Sequence, residues 1–540
     1  MKRYREKTSD LVRRREFDRA WQRHCGFLDL SLDQFMEIQW RLLEEQMELG
    51  RQSPLWQRVF GDVVQELTVE NFRDCVPLTS YPDYEPHLQG RPNDILSRPI
   101  KDWARTSGLG GSPKWVPYTE EMYEHLGVCS ITTGILCAAR GRGDVRIRPG
   151  DVVASNLPPR PFISGLALMA SSEFFDYHFI PPLDETEHLS FHDRTRRVFE
   201  LAMRDGMALL GAMTIVLVRM GEMFESGHQE RRFSLSMLHP KIIWRIIRAI
   251  IRARREGRDH ILPRDLWQLK GLQCGGTDTF LFRDKIKYYW GVEPYEIYAA
   301  TEAGIMAVQA WDRQDLYFLP DTAFYEFIPH EAWVRERLEG IPPQETVLMH
   351  EVEVGKRYEV VITNFYGGPF LRYRMHDLVE VVGMGNDALG IQLPRFQFVG
   401  RSGSFIDLSG FAGLIDEKTL LRALDRLGVP YVDWVVAKEF EGDQPYLHLY
   451  IEPREGVTLD ATTLRDGLHD LLKEMVVDYK DVEGMLGYRP LKVTLLSPGT
   501  FDRYIQHRLR QGADLAHLKP ARIQPPAEAI ALLVTQSHAA

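Results

Sequence analysis

The stretch LKGLQCGGTDTFLFRDKIKYYWGVEPYEIYAATEAG, Leu269–Gly304, decides the fold. It has the pattern of a short apolar strand, a turn at Gly275 and Gly276, a helix, and a second strand that ends at Tyr298. A strand, a helix and a strand in this order predict a parallel βαβ unit. Because ligands collect at the carboxyl ends of the strands in such sheets, we expect Gly276, Thr277 and the segment after Tyr298 to lie beside one another.

A glycine-rich loop earlier in the chain is a candidate phosphate-binding loop. It lies in ARTSGLGGSPKWVPYT, Ala104–Thr119. Its glycines let successive backbone N–H groups approach an anion, and Lys114 adds a full positive charge. These glycines are Gly108, Gly110 and Gly111. On this stretch alone, an ordinary surface turn remains an alternative.

Two common nucleotide-binding motifs do not fit this loop. The Walker A motif needs glycine directly before its lysine and Ser or Thr directly after it, whereas Pro113 precedes Lys114 and Trp115 follows it. The Rossmann fingerprint needs a third glycine three positions after the second, and that position is Pro113. A P-loop NTPase and a dinucleotide-binding domain are therefore disfavoured.

Composition indicates a large globular protein. The chain has 540 residues, is 44% hydrophobic and carries a formal net charge of -10, so we expect a large domain with at least one smaller unit. The acidic balance predicts no binding to nucleic acid or to a membrane. Five scattered cysteines without a CxxC pair favour a reducing cytoplasm. The apolar segment Met207–Val218 is too short to span a bilayer, so we expect it to be a buried element.

Several segments mark the organisation of the chain. Helical spacing over residues 1–60 predicts a helical preface to the main domain. From Tyr358 to Gly383 the residues alternate as in β-strands, with a turn at Gly367 and Gly368 and with Asp377 between two strand-like halves. A further strand pattern breaks at Gly400, where we place a domain boundary.

The run KIIWRIIRAIIRARREGR, Lys241–Arg258, predicts an amphipathic helix because isoleucines alternate with arginines. The arginines suit RNA or lipid head groups. The favoured interpretation is a solvated basic face on a helix that packs against the core.

Five motifs follow one another in a characteristic order. The glycine loop with Lys114 precedes YAATE at Tyr298–Glu302, YRMHD at Tyr373–Asp377, the pair Gly400 and Arg401, and Lys519 near the end. In this order they resemble the adenylate-forming enzymes of the firefly-luciferase-like superfamily. Longer stretches narrow the resemblance to the auxin-responsive acyl acid amido synthetases, which join small carboxylic acids to amino acids. These stretches are FRDCVPLTSYPDY, CGGTDTFLFRDKIKYYWG, RFQFVGR and PGTFDRYIQHRLRQGADLAHLKPAR.

The resemblance covers the chain from about Phe35 to Arg522, and it implies both a fold and an activity. It implies a large N-terminal α/β domain, residues 1–399, with β-sheets flanked by helices, and a small mobile C-terminal α/β domain, residues 400–540. ATP would bind between them. The implied enzyme uses ATP and Mg²⁺ to convert a small carboxylic acid to an acyl-AMP, and then transfers the acyl group to an amino acid or another amine. We expect a monomer or a weak dimer.

The resemblance also implies catalytic roles. Glu302 would coordinate Mg²⁺, and Thr301 would contact phosphate or the acyl carboxylate. Lys519 would hold the carboxylate and the α-phosphate as negative charge is redistributed. The alternative for Thr301 and Glu302 is an ordinary exposed turn without a catalytic role. The alternative for Lys519 is an ordinary exposed lysine.

The remaining implied roles concern the nucleotide. The loop would hold the β- and γ-phosphates, Asp377 would accept both ribose hydroxyls, Arg401 would act at the hinge, and Lys418 would make a weaker nucleotide contact. Further residues would form the phosphate loop and the two walls of the adenine pocket. They are Ser107, Gly108, Gly110, Gly111 and Lys114 for the loop, Tyr298, Ala299 and Ala300 for one wall, and Gly275, Gly276 and Thr277 for the other.

This chain departs from the family pattern at two places. Leu109 and Gly110 stand where two hydroxyl residues follow the Ser-Gly pair, and His376 stands where glycine precedes the aspartate. Two alternatives remain open. One is a ligase that uses coenzyme A or an unusual nitrogen nucleophile, because the loops that select the acceptor carry no recognisable motif. The other, motivated by Leu109 and Gly110, is a degenerate nucleotide-binding protein without turnover.

Overall fold

The computed structural model describes residues 6–106, 114–226, 239–275, 279–339, 341–343, 345–401, 405–408, 414–476, 479–510 and 520–538. The chain divides into two compact units, one comprising Met1–Thr106 and Lys114–Ser402 and the other containing Gly403–Ala540. Within the described ranges, no helix combines the length and the hydrophobicity that a membrane span requires. The predicted α/β class is confirmed, because β-sheets and helices alternate through both units.

The first unit begins with a group of helices. The longest of them starts at a capping box, in which the Ser31 hydroxyl accepts a hydrogen bond from the Gln34 N–H and the Gln34 side chain accepts one from the Ser31 N–H. Its apolar side, with Phe35 and Leu43, is buried in the main core. The helices are α1 (Thr8–Arg13), α2 (Phe17–Cys25), α3 (Leu32–Arg51), α4 (Pro54–Phe60), α5 (Phe72–Cys75) and α6 (Tyr81–Leu88).

A hairpin and a buried helix lead into a five-stranded sheet. The hairpin pairs β1 (Ile100–Arg105) with β2 (Trp115–Thr119), and α7 (Glu120–Ala138) follows. The sheet has the order β4-β3-β5-β6-β7, and all its pairs are parallel. Its strands are β3 (Val152–Ser155), β4 (His178–Ile180), β5 (Leu209–Met213), β6 (Gly271–Gly275) and β7 (Pro294–Tyr295). Its helices are α8 (Ile163–Phe174), α9 (Leu183–Thr186), α10 (Phe191–Asp205), α11 (Thr214–Glu225), α12 (Pro240–Arg255), α13 (Pro263–Leu266) and α14 (Arg283–Trp290).

The predicted βαβ unit is confirmed, although its second strand is shorter than expected. Strands β6 and β7 are parallel and α14 lies between them in sequence. The chain leaves this sheet at Glu296, whose N–H donates to the Gln309 side chain at 2.8 Å. Residues Ile297–Ala300 form β8 in a second, antiparallel sheet. Tyr298 therefore lies inside a strand of that sheet and does not end a parallel strand.

The second sheet of this unit has eight antiparallel strands in the order β12-β11-β13-β14-β15-β10-β9-β8. Its interior is rich in aromatic rings, with Phe327 and Phe396 stacked at a centroid distance of 5.6 Å. Asp377 lies inside one continuous strand, which corrects the expected position between two strand halves. After β8 the elements are β9 (Gly304–Gln309), β10 (Leu316–Phe318), β11 (Ala323–Pro329), α15 (His330–Glu339), β12 (Val347–Leu348), β13 (Arg357–Asn364), β14 (Tyr373–Gly383) and β15 (Arg395–Arg401).

The second unit is a smaller α/β arrangement. A three-stranded sheet of order β18-β19-β20 pairs β18 and β19 antiparallel and β19 and β20 parallel. The elements are β16 (Phe405–Asp407), β17 (Leu414–Asp416), α16 (Glu417–Arg426), β18 (Tyr431–Glu441), β19 (Gln444–Pro453), α17 (Ala461–Met475), α18 (Tyr479–Leu486), β20 (Leu491–Leu495), α19 (Thr500–Arg510) and α20 (Ala527–His538).

The amphipathic run forms α12, but its orientation corrects our expectation. Ile242, Ala249 and Ala253 are buried, whereas several other apolar side chains of the helix are exposed. The solvent-facing side is therefore not simply a basic face. The segment Met207–Val218 contains β5 and the start of α11, and Leu210 and Leu217 in it are buried as predicted.

Candidate active site

The turn between β8 and β9 carries Thr301 and Glu302. It is tight, since the Ala303 N–H donates to the Ala300 carbonyl and Gly304 follows with φ +82. A side chain at Gly304 would be strained by this φ, and its Cβ would lie 3.2 Å from Leu126 Cδ1. Thr301 is buried and Glu302 is half-buried. The turn thus places a carboxylate at the end of a strand, where it retains partial access to solvent.

Two side chains from other strands hold this turn by its backbone. The Tyr118 hydroxyl on β2 donates to the Thr301 carbonyl at 2.8 Å, and Asn364 Nδ2 at the end of β13 donates to the Glu302 carbonyl at 2.9 Å. Both donors are almost completely buried. Asn364 Oδ1 in turn accepts from the Phe370 N–H at 3.0 Å. We call Tyr118 and Asn364 the turn clamp. Sequence reasoning missed both residues, because neither belongs to a motif near Glu302.

One tyrosine hydroxyl lies beside the Glu302 carboxylate, and a second donates to the turn that carries it. The Tyr373 hydroxyl lies at a donating distance of 3.5 Å from Glu302 Oε1. Burial, with a smaller effect of the Glu302 charge, raises the pKa of Tyr118 and of Tyr373 well above its ordinary value. Both hydroxyls therefore stay protonated and act as donors towards the turn.

Asp377 and Tyr298 form a second buried polar contact. The Tyr298 hydroxyl donates to Asp377 Oδ2 at 2.8 Å, and the two residues are 5% and 3% exposed. The Tyr298 ring packs against Phe318 and Phe398, with centroid distances of 6.0 and 5.6 Å. A buried carboxylate needs such a donor, since desolvation is costly without one. Tyr298 therefore orients Asp377, a role that its place in the YAATE motif did not suggest.

The two predicted carboxylates belong to neighbouring parts of one site. Tyr298 in β8 contacts Asp377 in β14, and Tyr373 in β14 contacts Glu302 beyond the end of β8. Asp377 is also the Cα partner of Arg401 across the β14–β15 pair. The fold thus brings YAATE, YRMHD and the backbone of Arg401 together.

His376 occupies a backbone conformation that favours glycine. Its φ is 57, and its Nδ1 lies 3.3 Å from Oε1 of the fully buried Glu359. Arg374 donates to both oxygens of the same carboxylate at 2.9 Å. Burial opposes ionisation of Glu359, but the hydrogen bonds from His376 and Arg374 lower its pKa to about 2. This carboxylate thus holds the His376 side chain directly before Asp377.

The glycine loop is described only at its ends. The Thr106 N–H donates to the Lys114 carbonyl at 3.0 Å, which closes the base of the loop. Lys114 Nζ lies 5.2 Å from the centroid of the Tyr81 ring, a cation–π contact. Ser107, Gly108, Gly110 and Gly111 lie outside the described residues.

The other predicted site residues are only partly described. Gly275 ends β6, and its carbonyl accepts from the Thr214 hydroxyl at 3.2 Å. Ala299 and Ala300 lie in β8, and Lys418 lies in α16. Gly276, Thr277 and Lys519 lie outside the described residues, so their grouping with Glu302 stays a prediction.

Three family models match this chain, and together they span more than half of it. The GH3 family N-terminal domain matches residues 26–144, the central domain matches 316–401 and the C-terminal domain matches 418–528. The N-terminal match includes the glycine loop, the central match includes Asp377 and Arg401, and the C-terminal match includes Lys418 and Lys519.

Curated relatives resemble the chain over most of its length. The "Probable indole-3-acetic acid-amido synthetase GH3.2" of Oryza sativa subsp. japonica is 22% identical, over 84% of this chain and 83% of its own length. The "4-substituted benzoates-glutamate ligase GH3.12" of Arabidopsis thaliana is 23% identical, over 92% of this chain and 94% of its own.

Solved structures share the fold. "AtGH3.15 acyl acid amido synthetase in complex with 2,4-DB" has a TM-score of 0.50 at 19% identity and covers 93% of each chain. A 2-hydroxyisobutyryl-CoA ligase in complex with 2-HIB-AMP and CoA has a TM-score of 0.60 at 17% identity and covers 88% of each chain. At these identities the likeness concerns the fold alone.

Proposed function

Since this chain belongs to the GH3 family, we propose that it is an ATP-dependent acid:amine ligase. It activates a small carboxylic acid as an acyl-AMP and transfers the acyl group to an amino acid or another amine. The observation that carries the proposal is the clamped Thr301–Glu302 turn beside the Tyr298–Asp377 contact. These two carboxylates on adjacent elements suit the phosphate end and the ribose of one nucleotide. The curated relatives with amido synthetase and glutamate ligase names support this reaction class.

The chemistry requires activation because a carboxylate does not condense with an amine in water. In the first step a carboxylate oxygen attacks the α-phosphorus of ATP and pyrophosphate leaves. In the second step the amine nitrogen attacks the acyl carbon, AMP leaves, and the nitrogen loses one proton. Negative charge is redistributed in both steps, so the chain's contribution is to position and neutralise charge.

Asp377 binds the ribose in this proposal. A carboxylate accepts hydrogen bonds at both of its oxygens, which suits two neighbouring hydroxyls. The Tyr298 hydroxyl restricts its rotation, and the His376–Glu359 contact stabilises the left-handed backbone directly before it. Asp377 is therefore held in position before the nucleotide arrives.

Glu302 is the candidate ligand for Mg²⁺. Mg²⁺ is usually bound by one or two carboxylates together with substrate phosphates, so a single carboxylate is sufficient in this proposal. The Glu302 carboxylate is half-buried, and the Tyr373 hydroxyl lies 3.5 Å from its Oε1. Glu302 would hold the ion, which would supply positive charge to neutralise the phosphates. Thr301, whose carbonyl the Tyr118 hydroxyl holds, contacts phosphate or the acyl carboxylate.

The remaining assignments follow the family resemblance. Lys519 neutralises the carboxylate and the α-phosphate during adenylation, and Lys114 acts with the backbone of the glycine loop on the outer phosphates. Arg401 acts at the hinge between the domains. The other nucleotide contacts are Ser107, Gly108, Gly110 and Gly111 at the phosphates, Gly275, Gly276, Thr277, Ala299 and Ala300 at adenine, and Lys418.

We place the protein in the cytoplasm, as a monomer or a weak dimer. All five cysteines are free thiols, and four of them are buried. Unpaired thiols are typical of a reducing compartment. This supports the location that the scattered cysteine pattern predicts.

Acid-dependent pyrophosphate release tests the proposal. The full-length protein is incubated with ATP, Mg²⁺, hydroxylamine and a panel of carboxylic acids, and pyrophosphate and hydroxamate are measured. We expect both products with at least one acid. If ATP binds but no acid in a broad panel releases pyrophosphate, the degenerate nucleotide-binding alternative is correct. Competition between amino acids and coenzyme A then distinguishes an amide product from a thioester.

A further inference from the structure

Helix α12 presents a row of large apolar side chains to solvent. Five of its residues are between 38% and 61% exposed, which is unusual for side chains of this size. We call them the α12 ridge. They are Ile243, Trp244, Ile247, Ile250 and Ile251. At about 100° per residue they occupy one continuous side of the helix, opposite the buried Ile242, Ala249 and Ala253.

Two arginines of α12 point towards the protein interior, whereas the residues of the ridge are exposed. Arg245 donates to the carbonyls of Met203 and Leu266 at 3.0 and 3.2 Å. Arg252 donates to the Asp265 carbonyl at 2.9 Å. The helix therefore packs against the protein through Ile242, Ile246, two alanines and arginine hydrogen bonds. The side chains of the α12 ridge are exposed and contribute little to that packing.

Positive charge lies beside the ridge and, at Arg254, on the same side of the helix. Lys241, Arg248, Arg254 and Arg255 are exposed, and among the described residues none of them forms an ion pair. The helix itself contains no acidic residue, although the chain as a whole has a net charge of -10. The cations are therefore concentrated on this element.

Two acidic residues on segments next to α12 already form ion pairs with other arginines. Asp205, at the end of α10, forms an ion pair with Arg204. Glu256, directly after α12, forms ion pairs with Arg258 and Arg264. Neither carboxylate forms an ion pair with the exposed cations, although the hydrogen bond and charge of Arg204 and, to a smaller extent, the charge of Lys241 lower the pKa of Asp205.

We propose that the α12 ridge binds the surface of an anionic lipid bilayer. Amphipathic helices with Trp and aliphatic residues on one side and Lys or Arg beside them insert their apolar side among lipid head groups. Anionic lipids attract such basic residues. A second copy of the chain is a poorer occupant, because two-fold packing of α12 would bring like charges together. The cations of α12 are a local exception to the acidic balance from which we predicted no binding to a membrane. The proposal concerns surface binding only, and it does not depend on the proposed ligase activity.

Vesicle sedimentation with the full-length protein tests this proposal. One set of vesicles contains phosphatidylglycerol mixed with phosphatidylcholine, and the other contains phosphatidylcholine alone. We expect binding to the anionic set only, weakening as salt is raised. Ile247→Ser with Ile251→Ser should abolish binding. Arg248→Gln with Arg254→Gln should weaken it roughly fivefold for each charge removed.

Matched substitutions elsewhere serve as controls. Val354, which is 55% exposed, is changed to Ser, and the exposed Arg41 is changed to Gln, with no effect on vesicle binding expected. Circular dichroism shows whether each variant is folded, and the salt dependence of the unchanged protein provides a second readout.

Three outcomes would overturn the proposal. The first is absence of binding to anionic vesicles, and the second is equal binding to neutral vesicles. The third is a dimer in gel filtration that the isoleucine variant dissociates, without any vesicle binding. That last result would show that the ridge is covered by a second copy.

Discussion

Tyr118→Phe is the most direct perturbation of the turn clamp. The substitution removes a hydroxyl whose 2.8 Å hydrogen bond ends on the Thr301 carbonyl, and it leaves the buried aromatic ring in place. The carbonyl then lacks this donor in a region that solvent does not reach. The turn that carries Glu302 is left with Asn364 as its remaining clamp residue.

The expected size of the effect follows from two considerations. A buried polar group that loses its partner costs about 1–3 kcal/mol of unfolding free energy. A displacement of about 1 Å in a catalytic group lowers activity roughly 100-fold. Because the Asn364 contact to Glu302 remains, we expect a smaller shift and a fall of about tenfold in kcat/KM for acyl-adenylate formation, about 1.4 kcal/mol in activation free energy.

The assay is acid-dependent pyrophosphate release, measured well below the melting temperature of the variant. Tyr123→Phe is the matched control, because Tyr123 is 5% exposed and its hydroxyl forms no hydrogen bond within the described part of the chain. We expect the control to adenylate normally. If Tyr118→Phe melts at a lower temperature but adenylates like the unchanged protein, the clamp does not position the site. An equal loss in Tyr123→Phe would also contradict the reasoning.

Three further predictions concern the second clamp residue, the carboxylate behind His376 and the C-terminal lysine. Asn364→Asp keeps the acceptor for the Phe370 N–H but loses the donor to Glu302, so kcat for adenylation should fall at least tenfold, with a smaller change in the KM for the acid. The pKa of Glu359 is lowered from 4.5 to about 2, so this group contributes stability above pH 4.5 that is lost as the pH falls towards 2. In denaturant titrations Glu359→Gln should therefore be less stable at neutral pH, and its difference from the unchanged protein should shrink over that interval. Lys519→Ala should reduce adenylation at least 100-fold, as measured by pyrophosphate release, while the melting temperature stays unchanged.

Each of these predictions has a result that contradicts it. For Asn364→Asp it is an unchanged kcat. For Glu359→Gln it is a stability difference that persists at pH 2.5, since a carboxylate with the assigned titration has lost most of its advantage there. For Lys519→Ala it is undiminished adenylation, with Lys473→Ala as a control lysine of the same unit.

Local patterns determined the elements that carry the site. Alternating apolar residues and paired glycines predicted the parallel β6–α14–β7 unit. This was possible because the spacing of apolar residues in a strand differs from that in a helix, and a few residues are enough to show the difference. Motif order pointed to Glu302 and Asp377, and the structure brings their two segments into contact through Tyr298 and Tyr373.

Tertiary structure alone decided which side chains support those elements. Tyr118 contacts Thr301 across 183 residues of sequence, and Asn364 contacts Glu302 across 62. A hydrogen bond over such a separation leaves no periodic or compositional signal, because it depends on how separate sheets pack. The same reason applies to Glu359, which contacts His376 from the adjacent strand.

The exposed side of α12 was also decided by packing. The sequence predicted an amphipathic helix, but apolar residues occur on two sides of it, and only one of them can face the core. The protein packs the side that contains Ala249 and Ala253, where small residues allow close approach. Periodicity determined that the helix forms, and the surrounding elements determined which side remained in solvent.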